Sequence, residues 1–492
     1  MTSGTDLRPA PPAGPVGLLI GGDRITVTAA GSAHQHVYPA TGQPNTTVAL
    51  ASEVEIDHAV RAAWTAQREW VSLTVDRRRD LLVDLADVVH DHLDELAALN
   101  VHDYGVPVSY AGTAVLLERF LRHFAGYVDK PHGSSTPVNG SFDLNLVERE
   151  PYGVVAVIAP WNGALAVAGS CVAPALAAGN AVVFKPSELA PLAALRFGEL
   201  CLEAGLPAGL VNVVPAGADG GDALVRHPGI RKVHFTGGGT TARSVIRAAA
   251  TNLVPVVAEL GGKSANLVFG DADLDTAAVL SAHQGPLMQS GQSCACASRL
   301  LVHDSVYDAF VEKFVAVVES AVIGDPFDPG VGFGPVISQG AVDRILRTVD
   351  DAVDRGTGRL LTGGRRIGGD LAQGFYVEPT VLTDVDNSSD LAQIETFGPV
   401  VSIIRFHDDA DAVRLANDTP YGLNAFVHTR DLRRAHGVAR ELEAGSVWVN
   451  TFSDISPQGP YGGYKQSGFG RTGGIDGLNE FLQIKNIRIA MG

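Results

Sequence analysis

Apolar and polar positions along the chain follow two patterns, one typical of strands and one typical of helices. Residues 153–159 form a short β-branched run, residues 160–163 are typical of a turn, and residues 165–178 are small and helical. The pair Gly179-Asn180 suits a helix end, and a second apolar run follows at residues 181–184. This order predicts a strand, a helix and a parallel strand with both faces covered. An uncharged run of this length could also be a membrane span, but the turn and glycines that interrupt it favour a buried sheet.

The same succession recurs downstream. Residues 211–214 are another apolar run, which the glycine-rich residues 217–221 break. Residues 233–250 pass from a strand through glycines into a helix. Residues 299–302 and 400–406 resume the strand pattern later in the chain. We therefore expect an open α/β sheet, which binds ligands at the carboxyl ends of its strands.

Two further patterns concern a helix start and two sheet edges. Ser52 and Glu55 have the spacing of a capping box and precede an amphipathic helix pattern. Residues 141–147 alternate between polar and apolar side chains, and residues 482–489 are strand-like near the C-terminus. These two segments are candidate exposed edges for another subunit to cover.

Composition narrows the class of protein. A chain of 492 residues suggests two or three domains, and its 46% hydrophobic and 18% charged residues are typical of a soluble globular protein. The formal net charge of -17 argues against nucleic acid as a partner, because basic side chains must neutralise the phosphates. Four cysteines are too few for a disulfide framework, which favours a reducing, cytoplasmic compartment. Residues 1–16 lack the features of a signal peptide and are expected to form a flexible leader.

Three short segments carry candidate binding or acid–base chemistry. Lys185 and Glu188 of KPSE follow a predicted strand and could reach a nucleotide ribose, although such charges are usually only solvated. The glycines of FTGGGT precede a helix, and they would let the backbone at the positive end of that helix approach a phosphate. Alternatively, these glycines form only a tight structural turn. Glu259 of ELGG lies in apolar surroundings that could raise its pKa toward that of a general base, whereas an ion-paired Glu is the ordinary case.

The segment SGQSCACASRLL contains half of the cysteines, Cys294 and Cys296, separated by one alanine. They could be structural thiols, a metal site or a disulfide, or one of them could be a nucleophile. No metal is expected, because the spacing is shorter than in zinc sites and no His or Cys pair completes one. A disulfide between them would be a strained oxidised state.

Taken together, these segments resemble the aldehyde dehydrogenase family over almost the whole chain, from YPATGQP to PYGGYKQSGFGR. The matches follow the family's order and include APWN, PALAAGNAVVFKPSE, RKVHFTGG, ELGGKSANLV, GQSCACASR, ETFGPV, NDTPYGLNAFV and GSVWVN. The resemblance implies oxidation of an aldehyde to the carboxylic acid with NAD, with NADP also possible. It does not identify the aldehyde.

The resemblance also implies roles for individual residues. Cys294 would form a thiohemiacetal, Asn162 and the Cys294 backbone N–H would hold the oxyanion, and Glu259 would activate the water that hydrolyses the thioester. Cys296 falls where the family tolerates other residues and could modulate redox sensitivity. The implied cofactor contacts are Ala159, Trp161, Lys185, Glu188, Gly221, Phe235, Thr236, Gly237, Gly238, Leu260, Glu395 and Phe397. Because Glu188 would accept from the ribose 2′-hydroxyl and repel a 2′-phosphate, we expect NAD to be preferred.

The implied fold is α/β, with a Rossmann-type cofactor domain, an α/β catalytic domain and a small β oligomerisation arm. The expected division is a leader at 1–16, an NAD-binding domain at 17–128 and 150–258, a catalytic domain at 259–470, and an arm at 129–149 and 471–492. The expected partners are a small aldehyde and further copies of the chain in a homodimer or homotetramer, without membrane or nucleic acid.

Several residues depart from the family pattern. Gly238-Gly239-Thr240 replaces a serine, threonine and glutamate, which removes a hydroxyl near the expected phosphate, and Thr396 replaces a commoner isoleucine. Gly163 and Ala164 follow PWN in place of an aromatic residue and proline, which predicts a wider pocket. Cys171 stands where a lysine of the family's proton relay is common.

Two alternative functions remain at this point. A coenzyme A-acylating dehydrogenase would keep the fold and the cysteine, but members of that branch commonly lack the carboxylate of Glu259. A non-catalytic binding or structural member of the same fold would have no need to retain Cys294, Glu259 and Asn162.

Overall fold

The computed structural model describes residues 14–110, 112–138 and 143–490. Its strands are β1 (Leu18–Ile20), β2 (Asp23–Ile25), β3 (Ala33–Tyr38), β4 (Gln43–Ala49), β5 (Ser134–Ser135), β6 (Leu144–Pro151), β7 (Val154–Ile158), β8 (Ala181–Lys185), β9 (Val211–Val213), β10 (Lys232–Gly237), β11 (Val256–Leu260), β12 (Ser264–Val268), β13 (Ala297–His303), β14 (Arg359–Thr362), β15 (Thr380–Thr383), β16 (Val400–Phe406), β17 (Tyr421–Gly422), β18 (Asn424–His428), β19 (Ser446–Val449), β20 (Tyr464–Lys465), β21 (Gly468–Phe469) and β22 (Leu482–Ile489). Its α-helices are α1 (Glu53–Ser72), α2 (Val75–Asp91), α3 (Leu93–Tyr104), α4 (Gly112–Ala125), α5 (Ala164–Val167), α6 (Ala173–Ala177), α7 (Leu192–Glu203), α8 (Ala218–Arg226), α9 (Gly239–Ala249), α10 (Leu274–Gln284), α11 (Tyr307–Glu319), α12 (Gln339–Asp354), α13 (Asp390–Gln393), α14 (Asp409–Asn417), α15 (Leu432–Glu441) and α16 (Gly474–Asn479).

The first sheet has the strand order β2-β1-β9-β8-β7-β10-β11-β21. Strands β9, β8, β7, β10 and β11 are parallel, whereas β1 and β21 are antiparallel to their neighbours. Every residue of β7 and β8 is buried, because helices such as α1 and α7 pack on the sheet in one large apolar core. This burial accounts for the uncharged, β-branched runs of the sequence.

The second sheet has the strand order β14-β15-β16-β13-β12-β18-β19. Its strands are parallel except β14, which is antiparallel to β15. Two separate apolar clusters form around it, one with α12 and α14 and the other with α10 and α11. The predicted α/β fold with a Rossmann-type parallel sheet and a second α/β unit is confirmed.

A small antiparallel sheet of three strands has the order β22-β6-β5. Strand β6 pairs with β22 over its whole length, from Leu144 with Ile489 to Pro151 with Leu482. The two edge segments expected from the sequence therefore pair with each other. Ser141 and Phe142, which belong to the predicted edge, lie outside the described residues.

Three local predictions can be compared directly with the structure. The capping box is confirmed, because the Ser52 side chain and the Glu55 carboxylate both bond backbone N–H groups at the start of α1. The helix expected at residues 165–178 contains a π-helical turn, Ala168–Val172, between α5 and α6. The apolar run at 211–214 ends before the glycines, as expected, because β9 stops at Val213. Gly217 is then the N-cap of α8, and a Cβ on Gly220 in this helix would lie 2.6 Å from the Ala51 carbonyl oxygen.

The two large sheets meet at the ELGG segment. Strand β11 continues to Leu260, so the first sheet extends past residue 258, where the sequence predicted a domain limit. The short strand β21 returns from the far end of the chain and adds to β11, with Gly468 opposite Glu259. The domain limits themselves remain a prediction. Among the described residues, no helix has both the length and the apolar character needed to cross a membrane.

Candidate active site

The residues singled out in the sequence collect at one edge of the first sheet. Strands β7, β8, β10 and β11 are parallel, so the segments that follow them leave the sheet on the same side. Ala159, Trp161 and Asn162 follow β7, Lys185 ends β8, Glu188 follows it, Phe235, Thr236 and Gly237 end β10, and Glu259 and Leu260 end β11. Cys294 lies in the loop before β13, and Glu395 and Phe397 lie between α13 and β16.

Lys185 and Glu188 occupy the part of this edge beside α8. Lys185 is 8% exposed, and its Cε lies 3.4 Å from the position of a Cβ on Gly221. Burial lowers the pKa of Lys185, and the carboxylate of Glu188 partly offsets this effect. A buried ammonium beside a carboxylate offers a donor and an acceptor to the hydroxyls of a ribose.

The start of α9 can accommodate a phosphate group. Gly238 is the N-cap of this helix, no side chain there bonds the first N–H groups, and a Cβ on Gly238 would have no heavy atom within 4 Å. A Cβ on the preceding Gly237 would lie 2.7 Å from the Phe235 ring, so a larger residue there would have to displace that ring. Unpaired N–H groups, the helix dipole and open space together fit the pyrophosphate of a dinucleotide.

Glu395 and Phe397 form the other end of the candidate cofactor site. The Phe397 ring stands edge-on to Trp161 at 5.5 Å, and its backbone has a φ of 50°, which is strained for a bulky residue. Glu395 Oε1 accepts a 3.1 Å hydrogen bond from the Gly262 N–H. Burial raises the pKa of Glu395 to about 7, although the Gly262 N–H and the cation of Lys263 oppose the rise. Its carboxylate can therefore change charge near neutral pH.

Cys294 is partly accessible and lies among acidic groups. Burial and, to a smaller extent, the carboxylates of Glu395 and Glu259 raise the pKa of its thiol to about 12, although a hydrogen bond from Tyr461 opposes the rise. The resting side chain is therefore a protonated thiol at neutral pH. Its reaction as a nucleophile requires stabilisation of the thiolate by neighbouring groups, and Tyr461 is such a group.

Asn162 lies against the backbone of the cysteine loop. Its Nδ2 donates a 2.9 Å hydrogen bond to the Gln292 carbonyl oxygen, and a side-chain amide has a second donor hydrogen. Gln292 is itself fixed, because its Oε1 accepts from the Ile337 N–H at 2.8 Å and its Nε2 donates to the Pro335 carbonyl at 3.2 Å. The second N–H of Asn162 is the one that an oxyanion could use.

Glu259 is a buried carboxylate without a direct partner. It is 6% exposed, and neither carboxylate oxygen has a hydrogen-bond partner among the described residues. Burial raises the pKa of Glu259 well above its ordinary value, and the cation of Arg471 only partly opposes this rise. The apolar surroundings seen in the sequence therefore have the expected effect, and the group suits the removal of a proton from water.

The other cysteines of interest lie in separate environments. Cys296 is buried, and its thiol contacts the Met288 carbonyl oxygen at 3.8 Å. Cys171 lies in the π-helical turn, where its sulfur is 3.4 Å from Nδ1 of the buried His234. All four cysteines are free thiols, and the described residues contain no group of three His, Cys, Asp or Glu side chains that could hold a metal.

The structure adds residues that the sequence reasoning did not assign. The Tyr461 hydroxyl bonds Cys294 and accepts a 3.2 Å hydrogen bond from Asn424. Arg344 approaches Phe397, with 3.5 Å from its Nη2 to the Phe397 carbonyl oxygen. Tyr461 belongs to PYGGYKQSGFGR, one of the segments that carry the resemblance. The family resemblance was therefore the one feature of the sequence that could have indicated that Tyr461 lies near the site.

The arrangement defines a class of enzyme. A thiol that can add to a carbonyl carbon, beside a pocket that fits a dinucleotide, is the chemistry of nicotinamide-linked dehydrogenases that use a cysteine nucleophile. The buried carboxylate further suits a member that releases its product to water.

Comparison with known proteins identifies the family. The model of the aldehyde dehydrogenase family matches residues 26–487. An aldehyde dehydrogenase of Enchytraeus buchholzi is 41% identical over 460 residues, which cover 92% of this chain and 91% of that protein. The crystal structure of PnpE in complex with nicotinamide adenine dinucleotide is 38% identical with a TM-score of 0.94, covering 96% of this chain and 97% of that chain. PnpE is from Pseudomonas sp. WBC-3. Betaine aldehyde dehydrogenase of Staphylococcus aureus in complex with NAD+ is 35% identical with a TM-score of 0.93, covering 97% of this chain and 95% of that chain.

The chain belongs to the aldehyde dehydrogenase family. It is an NAD-dependent oxidoreductase that converts an aldehyde to the carboxylic acid through a thiohemiacetal and a thioester on a cysteine, and water hydrolyses the thioester. The family, the activity and the cofactor expected from the sequence are confirmed.

Proposed function

We propose that Cys294, Asn162 and Glu259 carry the chemistry of this hydrolytic aldehyde dehydrogenase. The observation that carries the proposal is Glu259, a buried carboxylate with a raised pKa and no direct partner among the described residues, close enough to raise the pKa of Cys294. A coenzyme A-acylating enzyme has no need for such a base. A non-catalytic member has no need for it either.

In the proposed reaction, Cys294 Sγ adds to the aldehyde carbon, and the Tyr461 hydroxyl stabilises the thiolate that does so. Asn162 Nδ2 and the Cys294 backbone N–H donate to the oxyanion of the thiohemiacetal; loss of one such donor typically costs about 10²–10³ in rate. When bound, NAD supplies the hydride acceptor. The thioester then remains on Cys294, Glu259 takes a proton from water, the water oxygen attacks the acyl carbon, and the C–S bond breaks.

Cofactor binding divides into three parts of the edge. Lys185 and Glu188 would hold the adenosine ribose, with Gly221 alongside, and the start of α9 at Gly237 and Gly238 would hold the pyrophosphate. The nicotinamide would lie among residues that follow β7, end β11 and lie in the loop after α13. These residues are Ala159, Trp161, Leu260, Glu395 and Phe397. Phe235 and Thr236 would shape the site at the end of β10.

The test of the hydrolytic role is Glu259→Gln, which preserves shape and removes the base. Rapid mixing should show one burst of NADH per active site followed by a steady rate roughly 10²-fold below wild type, and mass spectrometry should find the acyl group on the Cys294 peptide. Glu312→Gln, at an exposed position of α11, is the control and should turn over like wild type. A Glu259→Gln variant with the wild-type steady rate, or a wild-type enzyme that needs coenzyme A, contradicts the proposal.

The wider organisation follows from the same features. The proposed division into a leader (1–16), an NAD-binding domain (17–128 and 150–258), a catalytic domain (259–470) and an arm (129–149 and 471–492) is supported by the separate sheets. A homodimer or homotetramer is supported by β22, an edge strand on which Ile484 is 67% exposed. Four free thiols support a reducing, cytoplasmic location. The molar mass in solution, measured by light scattering, tests the oligomer.

A further inference from the structure

A cavity lies at the start of β12 in the second sheet, and one of its lining residues, Asn424, hydrogen-bonds to Tyr461 of the candidate active site. It is a small space, and its lining includes Lys263 and Ser264 at the start of β12, Arg299 of β13, Asn424 of β18, and Asn417 after α14. None of these five residues is among those placed above in the proposed reaction or in cofactor binding. The cavity is therefore a separate feature of the fold.

Three polar atoms around this cavity have no hydrogen-bond partner among the described residues. They are Lys263 Nζ, Ser264 Oγ and Asn424 Oδ1. The residues are 2%, 4% and 3% exposed, so bulk water does not satisfy these atoms. Because buried polar atoms nearly always have partners, three orphaned atoms around one cavity indicate a bound polar species.

The charges of the lining favour an anion. Arg299 donates to three carbonyl oxygens and one amide oxygen, all uncharged, so no carboxylate contacts its guanidinium. The carboxylate of Glu443 at the rim pairs with Lys465 and is half exposed. Glu395 and Asp418 act on Lys263 and Arg299 respectively as nearby charges, without a direct hydrogen bond or ion pair between the described side chains. Within the described part of the chain, no carboxylate contacts Lys263 Nζ or the Arg299 guanidinium, and an anion bound between them would favour the protonated form of Lys263.

The pattern of donors and acceptors narrows the anion further. Lys263 Nζ and Ser264 Oγ can donate, which requires acceptor oxygens on the ligand. Asn424 Oδ1 accepts, because its Nδ2 already donates to the Tyr461 hydroxyl at 3.2 Å, so the ligand must also carry a donor hydrogen. A halide lacks that hydrogen, and an organic carboxylate is ionised at neutral pH.

We propose that this cavity binds a small monoprotonated oxyanion, of which hydrogen carbonate is the smallest, between Lys263, Ser264 and Asn424. The ligand would be connected to the nucleophile by three hydrogen bonds, from the ligand to Asn424, from Asn424 to the Tyr461 hydroxyl, and from that hydroxyl to Cys294. The proposal does not depend on the identity of the aldehyde or on the role of Glu259.

The test measures thermal unfolding of the full chain at pH 7.5 against sodium hydrogen carbonate, with sodium chloride at matched ionic strength as the reference. Hydrogen carbonate should raise the midpoint temperature of wild-type unfolding in a saturable way, and chloride should not. Lys263→Met should lose the rise, and Ser264→Ala should need roughly tenfold more hydrogen carbonate for half-saturation, the effect of one hydrogen bond to a charged group. Lys313→Met, at a partly exposed lysine that pairs with Asp275 on α10, is the control and should respond like wild type.

A crystal structure grown in hydrogen carbonate provides the second measurement. Planar density within hydrogen-bond distance of Lys263 Nζ and Ser264 Oγ supports the proposal. Water alone at that position overturns the proposal. So does a wild-type unfolding midpoint that hydrogen carbonate does not raise, that it raises equally in Lys263→Met, or that chloride raises in the same saturable way.

Discussion

Gly462 lies so close to Glu259 that only a residue without a side chain fits: a Cβ on Gly462 would be 2.7 Å from Glu259 Oε1. Gly462 also has a φ of 159°. The position of the candidate base is therefore set by a glycine that lies more than 200 positions later in the sequence, on the loop that leads to β20 and β21.

Gly462→Ala should displace the Glu259 carboxylate and slow release of the acyl group. Because a displacement of about 1 Å can cost about 10²-fold, we expect the steady rate of NADH formation to fall by that order while the initial burst persists. Gly459→Ala is the matched control on the same segment, since its Cβ would have no heavy atom within 4 Å. Equal rates for the two variants would show that Gly462 does not position the base.

Cys294→Ala should abolish aldehyde oxidation, whereas Cys296→Ala should retain it. Cys294 is partly accessible and hydrogen-bonds to Tyr461, while Cys296 is buried against the Met288 carbonyl. NADH absorbance measures oxidation, and mass spectrometry after treatment with iodoacetamide locates the reactive thiol. An inactive Cys296→Ala enzyme with an active Cys294→Ala enzyme would reverse the assignment.

Tyr461→Phe should move the reactivity of Cys294 to higher pH. The hydrogen bond from Tyr461 lowers the pKa of the thiol, so its loss raises that pKa and leaves less thiolate at any given pH. We expect the pH profile of alkylation to shift upward by roughly one pH unit. Tyr464→Phe, at an exposed tyrosine of β20, is the control. A profile that stays in place, or moves to lower pH, is incompatible with this role.

Glu188→Gln should narrow the preference for NAD over NADP. A carboxylate beside the adenosine ribose repels a 2′-phosphate, and its neutral amide does not, so the ratio of kcat/KM values should fall by roughly tenfold. The ratio is obtained from initial rates with each cofactor, with Glu312→Gln as the control for loss of one negative charge. Higher efficiency with NADP in the wild type would refute the assignment.

Lys263→Met should change how stability depends on pH. Burial lowers the pKa of Lys263 from 10.5 to about 7, so between these values the unfolded chain binds a proton that the folded chain does not. The free energy of unfolding of wild type should therefore rise with pH in this window, relative to the variant, by up to about 1.4 kcal/mol per pH unit. Urea unfolding of both proteins at pH 7, 8 and 9, without hydrogen carbonate, measures the difference; parallel curves would contradict it.

Local patterns were enough to predict the sheet edge where the candidate residues gather. The runs at β7 and β8 are apolar and β-branched because both faces of these strands are covered, and FTGGGT leads into α9 with Gly238 at the N-cap position. Such features depend on neighbours in sequence, so a pattern reveals them.

Contacts between distant segments carry no such local signal. Tyr461 bonds Cys294, and Gly462 lies against Glu259, in the segment that leads to β21, which pairs with β11 at the edge of the first sheet. The π-helical turn at Ala168–Val172 was likewise missed, because its residues have the same small, apolar character as the α-helices on either side. The burial of Lys263 was not predicted, because a single lysine after ELGG has no pattern around it that indicates burial.

Strand β21 also bears on the order in which the protein is assembled during synthesis. Ser467, at the start of this return, donates from its hydroxyl to the Gly261 carbonyl, 206 residues earlier in the chain. A chain still growing on the ribosome can hold Cys294 and Glu259 long before Tyr461, Gly462 and β21 have been made. The candidate reactive centre is therefore completed only by residues made well after Cys294 and Glu259, and until then these two side chains lack the contacts that position them.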